Sequence, residues 1–273
     1  MSKIIKFFMS ILGLSFLKKF LVKRSKALSY YKDKIKMINK WCLLDKETSN
    51  FYYKLTNLNR NYLAHVISVV TGEKHEKIIS YFKELEENEE LKTHIKNSII
   101  KSGYGKDIQV DYGRRIGWYA IIRICKPKVI VETGVHHGVG ACVIINALIK
   151  NHEENFTGAY YGTDIDLNSG KLISGKYNDF GKVIYGDSIS SLKNFEKKID
   201  IFINDSDHNE EYEYNEYITI LNKLSSKAII LGDNCHVTEK LSVFSLKNKR
   251  NFIFFEEKPE SHWYPGAGIG ISY

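Results

Sequence analysis

Five short apolar runs, each ending in polar residues and each separated from the next by a helix-length segment, constrain this chain more than any other feature. They read KVIVETG (128–134), AYYGTDI (159–165), KVIYGD (182–187), IDIFIND (199–205) and KAIILGD (227–233). Runs this apolar suit strands buried on both faces, and spacers of that length suit crossover helices. The pattern therefore predicts an α/β fold with a mostly parallel sheet and helices on both faces. The last two runs, NFIFFEEK and GAGIGISY, are separated only by residues 259–265, with Pro259 and Pro265 among them. That is too short for a crossover helix, so the sheet is expected to end in an antiparallel hairpin.

Upstream of residue 111 the strand signals disappear. Residues 27–110 read as a helical region, in which EKIISYFKELEENEELKTHIKNSIIKSG carries apolar residues at helical spacing and stops at Gly103. DYGRRIGWYAIIRICK reads as a short amphipathic helix ended before Pro127. The formal charge of +8 is concentrated at the start: residues 1–40 hold eleven Lys/Arg and one acid, Asp33, leaving the remainder near neutrality. A nearly neutral body without a basic stripe argues against a nucleic-acid substrate.

Residues 1–26 read as a basic amphipathic helix. The uncharged stretch Phe7–Leu17 is far shorter than the about 20 residues a spanning helix needs, and no small-x-small cleavage site follows it. Flanking Lys18, Lys19, Lys23 and Arg24 suit an interfacial helix drawn to anionic lipid, with docking on protein as the alternative. The location expected is cytoplasmic, with a peripheral position at the inner face of a membrane. Four cysteines without a CxxC pair fit reduced thiols.

Every polar cluster of the strand region lies at a strand's carboxyl end, where open parallel sheets bind ligands. After KVIV come Glu132 and the glycines Gly134, Gly138 and Gly140, opening a helix. The spacing G-x-x-x-G-x-G differs from the dinucleotide pattern G-x-G-x-x-G. A carboxylate at the strand end disfavours a pyrophosphate and suits a ligand with a cationic end. S-adenosylmethionine, which has an ammonium and a sulfonium, is such a ligand. Asp164 stands where an acid can accept from ribose hydroxyls, and Gly186-Asp187-Ser188 where an adenine edge can be met. Turn chemistry is the alternative for Asp187 and Ser188, and helix capping is the role expected of Asp166 and Asp207.

Residues 111–273 resemble a class I (Rossmann-fold) S-adenosylmethionine-dependent methyltransferase. VIVETGVHHGVGA, YYGTDID, IYGDS and IDIFINDSDH resemble the branch related to small-molecule O-methyltransferases. The resemblance implies a Rossmann-like sheet, S-adenosylmethionine as cofactor, and Glu132, Gly134, Gly138, Asp164, Asp187, Ser188 and Asp205 as its binding residues. It is also similar to cation-dependent catechol-type enzymes, which implies Asp205, Asp233 and Asn234 as Mg2+ ligands that chelate the acceptor oxygen. Catechol-type relatives carry a lysine base where this chain has His208, so His208 is either the base or a group that orients substrate. His136 and His137 are expected beside the cofactor, and Arg114, Arg115 and Trp118 either at the acceptor pocket or on a surface helix. The function expected is O-methylation of a small hydroxylated acceptor, such as a sugar or glycolipid headgroup. A nicotinamide-dependent oxidoreductase and a non-catalytic, membrane-associated binding protein are the alternatives.

Overall fold

The computed structural model describes residues 3–4, 7, 15–43, 51–103, 109–207, 209–233 and 235–273. They fall into two compact units. One comprises Met1–Lys46 with Ser261–Trp263, and the other Glu47–Glu260 with Tyr264–Tyr273.

The first unit holds one long helix, α1 (Ser15–Cys42), with Phe16, Phe20, Tyr31 and Ile35 exposed along it. Lys34 donates to the His262 carbonyl at 3.1 Å, and Trp41 packs on Trp263 with ring centroids 5.7 Å apart. Among the described residues no helix is long and apolar enough to cross a membrane.

The second unit is built on a seven-stranded sheet. Its strands are β1 (Val129–Thr133), β2 (Ala159–Asp164), β3 (Gly181–Tyr185), β4 (Ile199–Asn204), β5 (Leu224–Gly232), β6 (Phe252–Glu256) and β7 (Gly268–Ser272), in the order β3-β2-β1-β4-β5-β7-β6. β1 to β5 run parallel, and β7 lies antiparallel between β5 and β6. This is the Rossmann-like sheet with a terminal hairpin that the strand pattern predicts. Ile130, Val131, Phe202, Ile203, Ile230 and Leu231 on the three middle strands are buried, which accounts for their continuous rather than alternating apolar character. The strand order reverses between β1 and β4, so a crevice opens above their ends.

Helices α2 (Asn57–Thr71), α3 (His75–Glu86) and α4 (Glu89–Ser102) precede α5 (Arg115–Cys125). The long helical stretch expected over 76–103 is two helices, broken where the Asn88 side chain accepts from Leu91 N at 2.9 Å and caps α4. Gly103, in the left-handed region at φ 76°, ends α4 as predicted. α5 is neither a surface helix nor amphipathic in outcome: every residue from Arg115 to Arg123 is buried. Arg123 can be buried because Glu84 and Glu154 hold its guanidinium at 2.7 and 2.5 Å. The remaining helices are α6 (Val139–Glu153), α7 (Ser188–Asn194), α8 (Glu210–Ile220) and α9 (Lys240–Lys247). All four cysteines are free, with Cys142 buried within α6, the first crossover helix.

Candidate active site

The crevice is a cleft of about 850 Å3 over the ends of β1, β2, β3 and β4. Its wall on the β1 side is the turn from Gly134 to Gly138. Gly134 has φ 83°, and a Cβ there would sit 2.0 Å from the Asp205 carbonyl oxygen, so only glycine lets the β1 and β4 loops close on each other. Gly138, at φ 97°, caps α6. Asp164 secures this turn from β2. Its Oδ2 accepts from Val135 N at 3.0 Å and His136 N at 2.8 Å, and its Oδ1 accepts from Asp166 N at 2.9 Å. Asp166 makes a turn of its own by accepting from Asn168 N at 2.9 Å rather than capping a helix.

Glu132 lies buried at the floor, where its carboxyl accepts from the Tyr160 hydroxyl. Burial pushes this carboxyl up to about 8, against the opposing pull of Tyr160 and Arg115. His136 and His137 stack beside Phe51, with Phe51 and His136 ring centroids 5.2 Å apart, and all three line the cleft. Burial lowers both imidazoles, His137 to about 4, so the pair is neutral at pH 7.

Across the cleft, Asp187 and Ser188 are held mainly by local structure. Asp187 caps α7 through Ser190 N at 2.7 Å and accepts from the Tyr212 hydroxyl at 2.8 Å, bonds that lower its pKa. Ser188 donates to Glu216. Glu216 of α8 is a hub: besides Ser188 it accepts from Thr133 Oγ1 at 3.1 Å, from Ser206 Oγ at 2.8 Å and from the Asn204 amide. One turn earlier Glu213 accepts from Tyr217 and Thr238, each at 2.7 Å. The acidic tract after residue 208 thus contributes two buried glutamates that tie α8 to the strand ends. Asn209 rather than Asp207 caps α8, accepting from Glu211 N and Tyr212 N.

The ends of β4 and β5 hold a second buried network. Arg114 grips Asp233 with a parallel pair of bonds, Nε to Oδ1 at 2.5 Å and Nη2 to Oδ2 at 2.6 Å. Its Nη1 donates to the Tyr53 hydroxyl at 3.0 Å and to Glu257 at 3.1 Å, while Tyr53 and the Ala267 N–H also donate to Glu257. Burial raises Asp233, but Arg114 outweighs it and holds that carboxyl below its usual range. Burial and the neighbouring Asp233 charge push Asp205, hydrogen-bonded to Asp233, well above its usual range. The pair is thus biased in opposite directions, Asp205 towards its protonated form and Asp233 towards its charged form.

This arrangement does not fit the expected Mg2+ site. Both Asp233 oxygens face the Arg114 guanidinium, so a dication there would meet a fixed positive charge. Among the described residues no cluster of three or more His, Cys, Asp or Glu is placed to hold a metal ion. Asn234 and His208 lie outside the described residues.

Of the sequence-derived candidates, Glu132, Gly134, Gly138, Asp164, Asp187, Ser188 and Asp205 all line the one cleft. The β1 turn and the β4 end, 71 residues apart at Gly134 and Asp205, meet there. Residues 131–235 match the model of a family described as a methyltransferase domain. No curated protein matches the chain. Among solved structures, a methyltransferase from Geobacter sulfurreducens is similar at 14% identity and TM-score 0.49, over 68% of this chain and 90% of that one. The O-methyltransferase TomG from Streptomyces achromogenes, solved with S-adenosylmethionine, is similar at 10% identity and TM-score 0.48, over 68% and 89%. The O-methyltransferase from Bacillus cereus, solved with S-adenosylhomocysteine, is similar at 12% identity and TM-score 0.46, over 77% and 96%. At these values the likenesses carry no weight for substrate or cofactor.

The site also uses residues that a reading of strand ends misses. Tyr53, Arg114 and Glu257 are far apart in the chain, and nothing local marks them as one network. Glu213 and Glu216 were findable: with Tyr217 and Ile220 they fall at 213, 216, 217 and 220, one helix face, and Tyr217 and Ile220 identify that face as inward.

Proposed function

We propose that this domain transfers a methyl group from S-adenosylmethionine to a hydroxyl oxygen of a small acceptor, such as a sugar or glycolipid headgroup. The observation that carries the reading is the cleft's set of buried polar atoms without a protein partner: Arg115 Nε, Thr163 Oγ1 and Ser169 Oγ all belong to residues lining it, beside the buried Glu132. Buried donors and acceptors are normally satisfied, so three around one cleft indicate a polar ligand. A cleft of about 850 Å3 has room for a nucleoside with an amino-acid arm.

When bound, this cofactor supplies a methyl group on a positively charged sulfur. The chain's own contribution is placement. Glu132 meets the ammonium end, Asp164 offers its remaining lone pairs to ribose, and the Asp187–Ser188 turn borders the base. With its carboxyl raised by burial and by Asp233, Asp205 is better suited to hydrogen-bond an acceptor oxygen than to take its proton. His208, directly after the cleft residue Asp207, is assigned the acceptor proton, taken onto an imidazole nitrogen as the hydroxyl becomes nucleophilic. No step requires a divalent cation, because Arg114 already supplies a fixed positive charge beneath the β4 and β5 ends.

Calorimetry tests the reading: S-adenosylhomocysteine should bind and NAD should not. Labelled methyl donor incubated with cell extract would then identify the acceptor. Failure to bind either nucleotide or to label anything defeats the proposal. The nicotinamide alternative is disfavoured by a buried acid where a pyrophosphate would sit.

We also place α1 at an anionic lipid surface. It carries nine Lys/Arg against Asp33 alone, with Phe16, Phe20, Tyr31 and Ile35 exposed. Sedimentation with phosphatidylserine vesicles but not with phosphatidylcholine vesicles is the expected result, and equal recovery from both would refute it.

A further inference from the structure

The sheet ends at β6, whose far side pairs with no strand among the described residues. Its sequence is FIFFE, without the Lys, Pro or bulge that guards sheet edges against pairing. Phe252 and Phe254 are 36% and 40% exposed on one face of it.

The ladder to β7 shows which backbone groups are open. Asn251 and Tyr273 exchange backbone bonds at 2.9 and 3.0 Å, and Glu257 N donates to Ala267 O at 3.2 Å. Such pairs recur at every second residue of an antiparallel ladder. The odd-numbered residues of β6 therefore bond to β7, and the even-numbered ones turn their N–H and C=O outward. Asn59 of α2 shows the same direction and closes one end of the edge. Its side chain donates to the Glu256 carbonyl at 2.9 Å and accepts from the Lys258 N–H at 2.8 Å. The outward groups of Phe252 and Phe254 meet no partner among the described residues.

The same side of the chain carries a charge pattern. Arg250, Phe252, Phe254 and Glu256 alternate along it, a cation at one end and an anion at the other. Neither has an ion pair among the described residues. Arg250 donates through Nε and Nη2 to Ser272 and to the Ala228 carbonyl, which leaves Nη1 over, and Glu256 is exposed. Run in the opposite direction, this pattern is its own complement.

We propose that β6 pairs with β6 of a second copy of this chain, antiparallel about a twofold axis through Ile253, so that one sheet runs across two subunits. That axis sets Phe252 opposite Phe254 and satisfies the free backbone groups of both. It also sets Arg250 of one copy opposite Glu256 of the other, at both ends. An axis through Phe254 would oppose Arg250 with Lys258 and require the Glu256 carbonyl that Asn59 already holds. An axis through Phe252 would leave Glu256 opposite Asn248. An axis between two residues would match outward groups with inward ones.

Cross-linking reads the register. Residue 253 would face its own copy with Cα atoms about 4.5 Å apart. Residues 252 and 254 would each lie about 8 Å from their own copies, beyond disulfide reach. Under mild oxidant, Ile253→Cys should therefore give a covalent dimer above the background set by the native cysteines, and Phe252→Cys and Phe254→Cys should not. Sedimentation of the full wild-type chain should show a dimer. Glu256→Lys opposes like charges at both ends and should weaken it on the order of 10-fold. This substitution is at an exposed position, so it serves even if a cysteine variant does not fold. A wild type that stays monomeric at high micromolar concentration would overturn the proposal, as would a dimer indifferent to Glu256→Lys. So would cross-linking that ignores position, the pattern expected of association through α1.

Discussion

The carboxyl edge of the sheet has two halves that treat their polar groups in opposite ways. Over β1, β2 and β3 the groups belong to residues that line the cleft: Arg115 Nε, Thr163 Oγ1 and Ser169 Oγ are buried without a protein partner, and Glu132 is an acid raised to about 8. Over β4, β5 and β6 the groups are closed upon each other, with Arg114 gripping Asp233 and Glu257, and Asp205 bonded to Asp233. The open half is arranged to be completed by a ligand. The closed half already holds its own ion pairs.

Removing Arg114 tests the closed half most severely. Arg114→Ala leaves Asp233 and Glu257 as buried carboxylates without their cation, a loss of about 3–5 kcal/mol. Chemical denaturation should show the midpoint falling with an unchanged slope. A loss below about 1 kcal/mol, the range of an exposed pair, would mean the network does not hold these strand ends together.

The open half should show itself in pH dependence. Glu132 has a folded value of about 8 against an ordinary 4.5, so between these values the folded chain holds one proton more than the unfolded one. Stability from this group is complete below about pH 4.5 and falls by about 1.4 kcal/mol per pH unit until it levels near pH 8. Glu132→Gln should remove that decline. An identical stability profile for the variant would place Glu132 in water rather than in a buried site.

What could be read from the sequence divides along the same line. The strands, their order of polar ends and the glycine turn follow from local pattern, because an apolar run and the residues that end it are contiguous. Gly134, Asp164 and Asp205 could be placed together for that reason. The metal expectation could not take account of a distant residue: Arg114 lies 119 positions from Asp233, and Tyr53 lies 204 from Glu257. Nothing near Asp233 shows that both its oxygens are already occupied. α5 misled similarly, since its arginines suggested a surface, whereas Glu84 and Glu154 neutralise Arg123 from other helices.

Glu216 joins the two halves, so its replacement gives a smaller and more informative effect. It accepts from Thr133 at the end of β1, from Asn204 and Ser206 at the end of β4, and from Ser188 after β3. Glu216→Gln turns an all-acceptor group into one that must aim an N–H2 at a donor. The cost should be about 1–3 kcal/mol, accompanied by weaker S-adenosylhomocysteine binding, because Ser188 and Ser206 border the cleft. A stability loss with ligand affinity untouched would show that the hub braces the sheet without shaping the site.

The smallest expected effect is that of magnesium on the native protein, and it discriminates most sharply. Chelation of a dication requires charged oxygens facing one point, whereas Asp233 is turned to Arg114 through both oxygens. Adding a second positive charge beside a buried guanidinium is unfavourable in a low-dielectric site. Millimolar Mg2+ should therefore leave the melting temperature unchanged, and EDTA should leave methyl transfer unchanged. Arg114→Met removes the cation and preserves apolar volume. If that variant folds, it should gain a Mg2+-dependent rise in melting temperature, as Asp205 and Asp233 lose the fixed charge that satisfied them. A wild type stabilised by Mg2+ would mean that Arg114 swings away from Asp233, and that the closed half is a metal site after all.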